Sequence, residues 1–327
     1  MNILITGGAG FIGTNTALYF GKAKNNSITL VDNLSRSGTE NNLQYIRKNI
    51  SSPLFFIKSD VRKTSSYLKN IKKADVIIHL SGQTAVTNSL KDPASDFSSN
   101  IGGGFALLEA IRIHNPNAVV LYSSTNKVYG DLKSHIRTKH PQGVDEEERL
   151  EFISPYGCSK GTIDQYMQDY YRSFGIKTVV FRQSCIYGPH QLGVEDQGWV
   201  AHFSKQILKQ KPITIFGDGN QVRDLLFVED LVRAYECAIK KIDSSAGHVF
   251  NIGGGKNNSF SLHQVLSILS EKTRISPHIQ YETGRLGDQN YFVSNNAKIK
   301  KILGWTVTTP FKIGVQSLIS WQQKNIL

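Results

Sequence analysis

MNILITGGAGFIG, residues 1–13, runs an apolar stretch, Ile3–Thr6, straight into glycines at positions 7, 10 and 13. Gly7 permits a tight turn, Gly10 lets a pyrophosphate approach the backbone, and Gly13 lets the next helix lie close to the strand. Phe11 and Ile12 open that helix, whose unpaired N–H groups and dipole attract phosphate. A glycine triplet alone is weak evidence. Here ITLVD at 28–32 follows and ends on Asp32, 19 residues after Gly13. A carboxylate at that point accepts hydrogen bonds from both ribose hydroxyls and repels a 2′-phosphate, so the expected cofactor is NAD rather than NADP. Asn33 and Arg36 join the candidate cofactor contacts. Arg36 suits either a 2′-phosphate or stacking on adenine.

Outward from this loop, short β-branched runs alternate with amphipathic stretches. Strands are expected at Ile3–Thr6, Ile28–Asp32, Leu54–Ile57, Val76–Leu80, Val119–Ser123 and Thr178–Phe181. Helices are expected near Phe11–Gly21, Thr39–Lys48, Ser65–Ile71, Phe97–His114 and Pro155–Phe174. The alternation predicts an α/β fold, a Rossmann doubly wound parallel sheet with helices on both faces. Every strand then delivers its C-terminal end to one edge, where open α/β sheets bind ligands. After Tyr187 the rhythm changes. A helix is expected at Trp199–Lys209, a strand at Ile213–Phe216, a helix at Val228–Lys240, a strand at Val249–Ile252, and helices near Ser261–Glu271 and Phe311–Gln323. We therefore expect an NAD-binding domain over residues 1–185, with 224–254 returning to it, and a smaller C-terminal α/β lobe over 186–327.

The remaining features narrow the class. The chain has 327 residues, 39% hydrophobic and 20% charged, the composition of an ordinary folded protein. No apolar run approaches the ~20 residues that span a bilayer. The N-terminus lacks a basic region and a cleavage site, so no signal peptide, no membrane contact and a cytoplasmic location are expected. Three scattered cysteines, Cys158, Cys185 and Cys237, form no metal-ligand spacing, so no metal is expected, and they suit reduced thiols. The net charge of +12 favours anionic partners. No run of like charges marks a nucleic-acid tail, and no nucleic-acid partner is expected. Gly130–Arg149 is the most polar long stretch and reads as a surface excursion.

Tyr156 and Lys160 lie in SPYGCSK at the start of a helix, and the i, i+4 spacing stacks them on one face. An ammonium beside a phenol favours phenolate, so Lys160 is expected to lower a pKa that starts near 10. Such a tyrosine can take a hydroxyl proton while hydride leaves the same carbon. LYSSTNKVYG ends the fifth strand with Ser123, Ser124 and Thr125. Thr125 is placed to hydrogen-bond the same hydroxyl.

With these motifs in order, the sequence resembles the extended short-chain dehydrogenase/reductase superfamily, specifically its nucleotide-sugar epimerases and dehydratases. The resemblance runs nearly end to end, through TGGAGFIG (6–13), VDNLSRSG (31–38), SDVR (59–62), HLSGQ (79–83), SNIGG (99–103), SSTNKVYG (123–130), SPYGCSK (154–160), FRQSCIYGP (181–189), GDGNQVRDLLFVED (217–230) and RLGDQ (285–289). It implies that Asp60 and Val61 flank adenine, and that Leu80, Ser81, Gly82 and Gln83 line the cofactor. Asn100, Ser123 and Gln183, with Tyr156 and Lys160, would reach its ribose or nicotinamide end. The 4,6-dehydratases of the superfamily carry an Asp-Glu pair after the Thr, because eliminating water needs an extra acid and base. Here Asn126 and Lys127 stand there, and neither replaces a carboxyl group. Epimerisation with retained NAD remains. SSTNKVYGDL, YGCSKGTIDQYM and DQGWV (196–200) look most like the CDP-paratose 2-epimerases (tyvelose epimerases), which implies hydride removal at C2, a 2-keto sugar and return of hydride to the other face.

The same resemblance makes 186–327 the nucleotide-sugar lobe, a CDP sugar being favoured, with a role in O-antigen and lipopolysaccharide sugar supply. Arg223 and Arg285 are the expected diphosphate ligands, since guanidinium grips phosphate in bidentate fashion. Gln83, Thr125, Asn126, Ser184, Gln197, Trp199 and Asp288 complete the substrate candidates, with Phe203 a weaker one. Many superfamily members carry an Asn at the position of Cys185, with Ser184 the substitute candidate here. Competing readings are a UDP-hexose 4-epimerase, a non-catalytic NAD sensor and an RNA-binding relative. Non-catalytic relatives typically lose the Tyr or the Lys, whereas Tyr156 and Lys160 are both present here. Relatives usually pair through two helices, here Phe97–His114 and Pro155–Phe174. An apolar stripe of Phe97, Ile101, Phe105 and Leu108 therefore suggests a homodimer or higher homo-oligomer.

Overall fold

The structure, a computed structural model, describes residues 1–132, 136–285 and 288–325. By internal contacts the chain divides into two units. The first comprises Met1–Thr125, Ser154–Arg182 and Val232–Phe250; the second comprises Asn126–Ile153, Gln183–Leu231 and Asn251–Leu327. Residues 126–153, expected in the first domain, thus belong with the second, and the returning segment begins at Val232 and ends at Phe250.

The first unit is built on strands β1 (Asn2–Thr6), β2 (Ser27–Asp32), β3 (Leu54–Lys58), β4 (Val76–His79), β5 (Val119–Thr125) and β6 (Thr178–Gln183), with a seventh at Val249–Ile252. The order across the sheet is Val249–Ile252, β6, β5, β4, β1, β2, β3. The pairs β1–β2, β1–β4, β2–β3 and β4–β5 are parallel. This is the doubly wound sheet that the alternation predicts. Its central strands carry apolar middles: Ile5, Leu30, Ile77, Ile78, Val120 and Leu121 are fully buried, as a sheet covered on both faces requires. The parallel pairing sends Thr6, Asp32, His79 and Thr125 to the same edge. The expected stretch from Ser65 divides into a 3₁₀ turn, Thr64–Tyr67, and a helix, Leu68–Ile71. The stretch from Phe97 divides into a π turn, Ser98–Gly102, and the helix Gly103–His114.

The apolar stripe on that region divides as well. Leu108 is buried and Ile101 lies against the core, whereas Phe97 and Phe105 are 61% and 43% exposed. The Phe105 ring meets Tyr166 of the helix Ser154–Phe174 at 5.7 Å.

In the second unit, Val222–Phe227 pairs with Ser259–Ser261, Tyr291–Phe292 and Cys185–Tyr187, and Ile213–Phe216 pairs with Ile279–Glu282. Tyr187, Phe203, Ile215, Leu225, Leu266, Phe311 and Val315 form its core. The strand Val222–Phe227 escapes the sequence reading because Arg223 and Asp224 interrupt its apolar pattern. Both are nonetheless buried. The stretch from Gly130 also differs from expectation. Ile136 and Val144 are buried with Tyr129 and Phe292, Val144 bridges Ser294, and the Glu146 carboxylate accepts the Asn251 N–H at 2.6 Å. Lys133, Ser134 and His135 lie outside the described residues. Among the described residues no helix is long and apolar enough to cross a membrane.

Burial in the first unit has a consequence for acid stability. His79 is 1% exposed, its Nδ1 is 2.8 Å from Thr6 Oγ1, and its ring stacks on Tyr122. Desolvation, and then the Lys160 ammonium, push its pKa down to about 3. The unfolded chain therefore binds more protons at this site below pH 6.5, and stability falls as pH drops through that window. His79 contributes up to about 1.4 kcal/mol per pH unit. His79→Gln is expected to flatten the fall in unfolding free energy between pH 6.5 and 4.5, measured by urea melts at each pH.

Candidate active site

β1 feeds the glycine loop into the helix Phe11–Phe20. Gly7 has φ +70°, a conformation that favours glycine, and donates its N–H to Val31 O at 2.8 Å. A Cβ on Gly13 would overlap the Gly7 carbonyl, whereas one on Gly10 would meet only that carbonyl, at 3.2 Å. Gly13 is thus required for packing, and the face beside Gly10 stays open. Gly10 caps the helix without any side-chain hydrogen bond, so the first helical N–H groups keep the capacity to bind phosphate. At the end of β2, Asp32 accepts Ala9 N–H at 3.0 Å and Leu34 N–H at 2.8 Å. Burial raises its pKa, and these two bonds oppose the rise. Asn33 and Arg36 are exposed; Arg36 Nη1 is 3.5 Å from Thr84 Oγ1. The cradle and the acid fit a dinucleotide with two free ribose hydroxyls.

The hydroxyl-handling residues lie in the same unit. β5 ends on Thr125, which is buried and hydrogen-bonded to Tyr156. Tyr156, Lys160 and Asp164 recur at i, i+4, i+8 along Ser154–Phe174 and are all buried. The expected lowering of Tyr156 does not occur in the protein itself. Burial raises it to about 12, and the Thr125 hydrogen bond is the opposing influence. Lys160 instead rests its Nζ over the Tyr122 ring, 4.4 Å from the centroid. Burial pulls Lys160 down to about 7, and Asp164 and Asp96 counter it.

Sequence reasoning missed the groups that hold this constellation. Asp164 accepts Arg182 Nε and Nη2, both at 2.9 Å, and Ser124 Oγ at 2.7 Å. The same helical repeat that pairs Tyr156 with Lys160 reaches Asp164, so the signal was available. Asn100, in the π turn, is 3% exposed. It accepts Gln83 N–H at 2.8 Å and donates to Gln83 O, Asp96 and Ser159. Its part is to position the loop at Gly82, where φ is +148° and a Cβ would overlap Asn100. The Gln83 amide likewise turns inward to Ala85 and Asp96. Asp60 is gripped by Arg62 at 2.7–2.8 Å. Val61 is buried, and its carbonyl accepts Tyr67 Oη–H. Leu80 and Ser81 follow β4, and the N–H groups of both reach Thr6. Ser123 is half-buried on β5, and Gln183 is buried at the end of β6.

The substrate candidates of the second unit divide similarly. Asn126 Nδ2 donates to Gln289 Oε1 at 3.0 Å. The Ser184 hydroxyl donates to Asp224, so it braces two strands. Trp199 lies at the start of the helix Trp199–Leu208, stacks edge-on with Phe203 and donates to Cys185 Sγ at 3.5 Å. Gln197 is half-buried and closes a turn with Val194. Arg285 covers the Phe216 ring and pairs with Glu195 and Asp196 at 3.3 Å. Arg223 donates to Val222 O and Gln289 O and meets Asp288 at 3.5 Å. Leu286 and Gly287 of the RLGDQ motif lie outside the described residues. Among the described residues no group of three or more His, Cys, Asp or Glu could hold a metal ion.

Residues 3–253 match the model of the NAD dependent epimerase/dehydratase family. The chain belongs to this family. It is an enzyme, and NAD is its cofactor. Family membership agrees with the resemblance carried by the motifs. The chain is 40% identical to the CDP-paratose 2-epimerase of Salmonella typhi, over 98% of this chain and 99% of that protein. Among solved structures it is similar to the UDP-glucose 4-epimerase of Thermotoga maritima with UDP-glucose, with TM-score 0.87, 30% identity and all of both chains covered. It is also similar to the UDP-glucuronic acid 4-epimerase of Bacillus cereus in complex with UDP-glucuronic acid and NAD, with TM-score 0.89, 27% identity and 99% of each chain covered. For this family member, Asp32→Asn is expected to weaken NAD retention roughly 10- to 100-fold, the range of a hydrogen bond to a charged group. The measurement is the absorbance of NAD released on denaturing equal amounts of each protein.

Proposed function

We propose that this chain epimerises C2 of a nucleotide-activated sugar, with CDP-paratose and CDP-tyvelose as the interconverted pair and NAD retained through each turnover. The observation that carries this reading is the 40% identity to the Salmonella typhi enzyme across nearly the full length of both proteins. Asn126 and Lys127 support it, because an elimination at this strand end lacks its acid and base. The first unit is then the NAD-binding domain, and the second holds the nucleotide sugar.

When bound, NAD supplies a hydride acceptor that is cationic in its oxidised form. Tyr156 takes the proton of the C2 hydroxyl as the C2 hydride departs, leaving a ketone, and returns it once hydride is restored to the opposite face. Thr125 orients that hydroxyl, and its hydrogen bond to Tyr156 favours the phenolate. Lys160 would hold the nicotinamide ribose, and the charges of Asp164 and Asp96 favour its ammonium form. Oxidation and reduction cancel, so no net redox change occurs. Tyr156→Phe is expected to lower kcat by about 10²–10⁴-fold, the usual contribution of a general base, with NAD content unchanged.

A UDP-hexose 4-epimerase is the second reading, favoured by the likeness to the Thermotoga maritima structure. Proton NMR of the enzyme with CDP-paratose, CDP-glucose, UDP-glucose and UDP-galactose, without added cofactor, separates the two. The expected result is a new C2 epimer from a CDP sugar. Conversion of UDP-glucose to UDP-galactose alone sinks the 2-epimerase reading.

We also infer a homodimer through Gly103–His114 and Ser154–Phe174, supported by the exposed Phe97, Phe105 and Tyr166 on that face. Phe105→Glu is expected to halve the mass measured by light scattering. A monomeric wild type would overturn the assignment.

A further inference from the structure

Asp96, on the short helix Pro93–Phe97, is a carboxylate with no exposure. Its hydrogen-bonding neighbours are all neutral. Gln83 Nε2 at 3.1 Å and Asn100 Nδ2 at 3.2 Å donate to Oδ1, and the Ser159 hydroxyl lies alongside. Oδ2 is buried and accepts no hydrogen bond. Asp164, the other buried acid beside Lys160, differs in that the Arg182 guanidinium meets it at 2.9 Å and matches its charge. Burying a carboxylate without such a cation is costly, and only a charge close by offsets the cost.

The hydrogen bonds place that charge. Asn100 Nδ2 also donates to Ser159 Oγ at 2.9 Å, and the Ser159 hydroxyl donates to Tyr156 O at 3.2 Å. Ser159 directly precedes Lys160. Asp96 is therefore fastened, through Asn100, to the turn of the helix Ser154–Phe174 that carries both Tyr156 and Lys160. We propose that Asp96 is a positioning residue whose unmatched negative charge, held against this turn by Asn100 and Ser159, sets the range of pH over which Tyr156 and Lys160 work as a pair. The assignment rests on the reading of Tyr156 and Lys160 as the hydroxyl-handling groups, and it holds whichever carbon is epimerised.

The charged and titratable neighbours agree. Burial raises Asp96, whereas the Ser159 hydroxyl and then the Lys160 ammonium oppose the rise. Burial raises Tyr156 and Asp96 adds to that, against the Thr125 hydrogen bond. Burial lowers Lys160, and Asp164 and then Asp96 oppose it. Among the described residues Asp96 is thus the acid that acts on both members. Tyr122 stays a neutral phenol, pushed up by burial, Asp164, Tyr156 and Asp96. His79 stays neutral as well, since burial and Lys160 hold it down to about 3.

The test is the pH dependence of kcat/KM for Asp96→Asn with CDP-paratose, or with UDP-glucose if the second reading holds. Beside it, the NAD retained by the holoenzyme is measured after dialysis at pH 6 to 10. Rate rises with pH as Tyr156 loses its proton and falls as Lys160 loses its own. The two limbs belong to the coupled pair, but loss of one negative charge eases both deprotonations. Both limbs are therefore expected to move to lower pH, by about one pH unit each. The pH at which half the NAD is lost is expected to move with the alkaline limb. Asp96→Glu keeps the charge and is expected to leave both limbs within about 0.3 pH unit of wild type. A lower rate in Asp96→Asn with neither limb moved would mean that Asp96 only braces Gln83 and Asn100, and it overturns the proposal. Limbs that move in opposite directions overturn it equally. Should Asp96→Asn fail to fold, Asp96→Ser carries the same expectation. Failure of the epimerase reading looks different: no sugar turns over, and the midpoint of NAD loss then decides by itself.

Discussion

Asp164 is a carboxylate with no exposure, and the catalytic half of the first unit is organised around it. Arg182 from β6 grips it with two nitrogens, Ser124 from β5 donates to it, and Lys160 lies one turn away on its own helix. Replacing Arg182 would strand the buried charge of Asp164, at about 3–5 kcal/mol for such pairs. The arrangement persists because all partners are present together. Its effect is positional: the residue after Ser124 is Thr125, and the residues one and two turns before Asp164 are Lys160 and Tyr156. One ion pair thus fixes the strand end against the helix and sets the relative placement of the three hydroxyl-handling groups.

The glycine loop, Asp32 and the Tyr–Lys repeat were legible in the sequence because their chemistry depends on local backbone geometry and short spacing. Strand positions in the first unit were legible for a related reason: strands buried on both faces carry nearly continuous apolar runs. The electrostatics of Tyr156 were not. Spacing shows that Lys160 shares a helical face with it, but not that both are desolvated, nor that the ammonium lies over Tyr122. Desolvation is a property of everything packed around a group, and no motif contains that information.

The second unit was harder to read for a physical reason visible in Val222–Phe227. Its strand carries Arg223 and Asp224 side by side, a pair that reads as a surface turn. The structure buries both by giving them long-range partners: Gln289 O and Asp288 for the arginine, and Ser184, Gly255 N–H and Ser294 N–H for the aspartate. Where polar residues are satisfied by contacts more than 30 positions away, hydrophobic periodicity loses its meaning. Asn100 and Gln83 show the same effect on a smaller scale, as their amides hold the chain that a ligand would meet.

The division of each unit into three separate stretches bears on how the chain is made. The seven-stranded sheet closes only when Val249–Ile252 has joined β6, so a ribosome must release some 250 residues before β6 acquires its outer neighbour. Until then β6, TVVFRQ, all six residues of which are buried in the finished fold, presents an open edge to the medium, and such edges invite pairing with other chains. Synthesis cannot therefore complete the first unit before starting the second. The two must mature together late in translation, and a chain cut anywhere between residues 183 and 248 would carry that unprotected edge permanently.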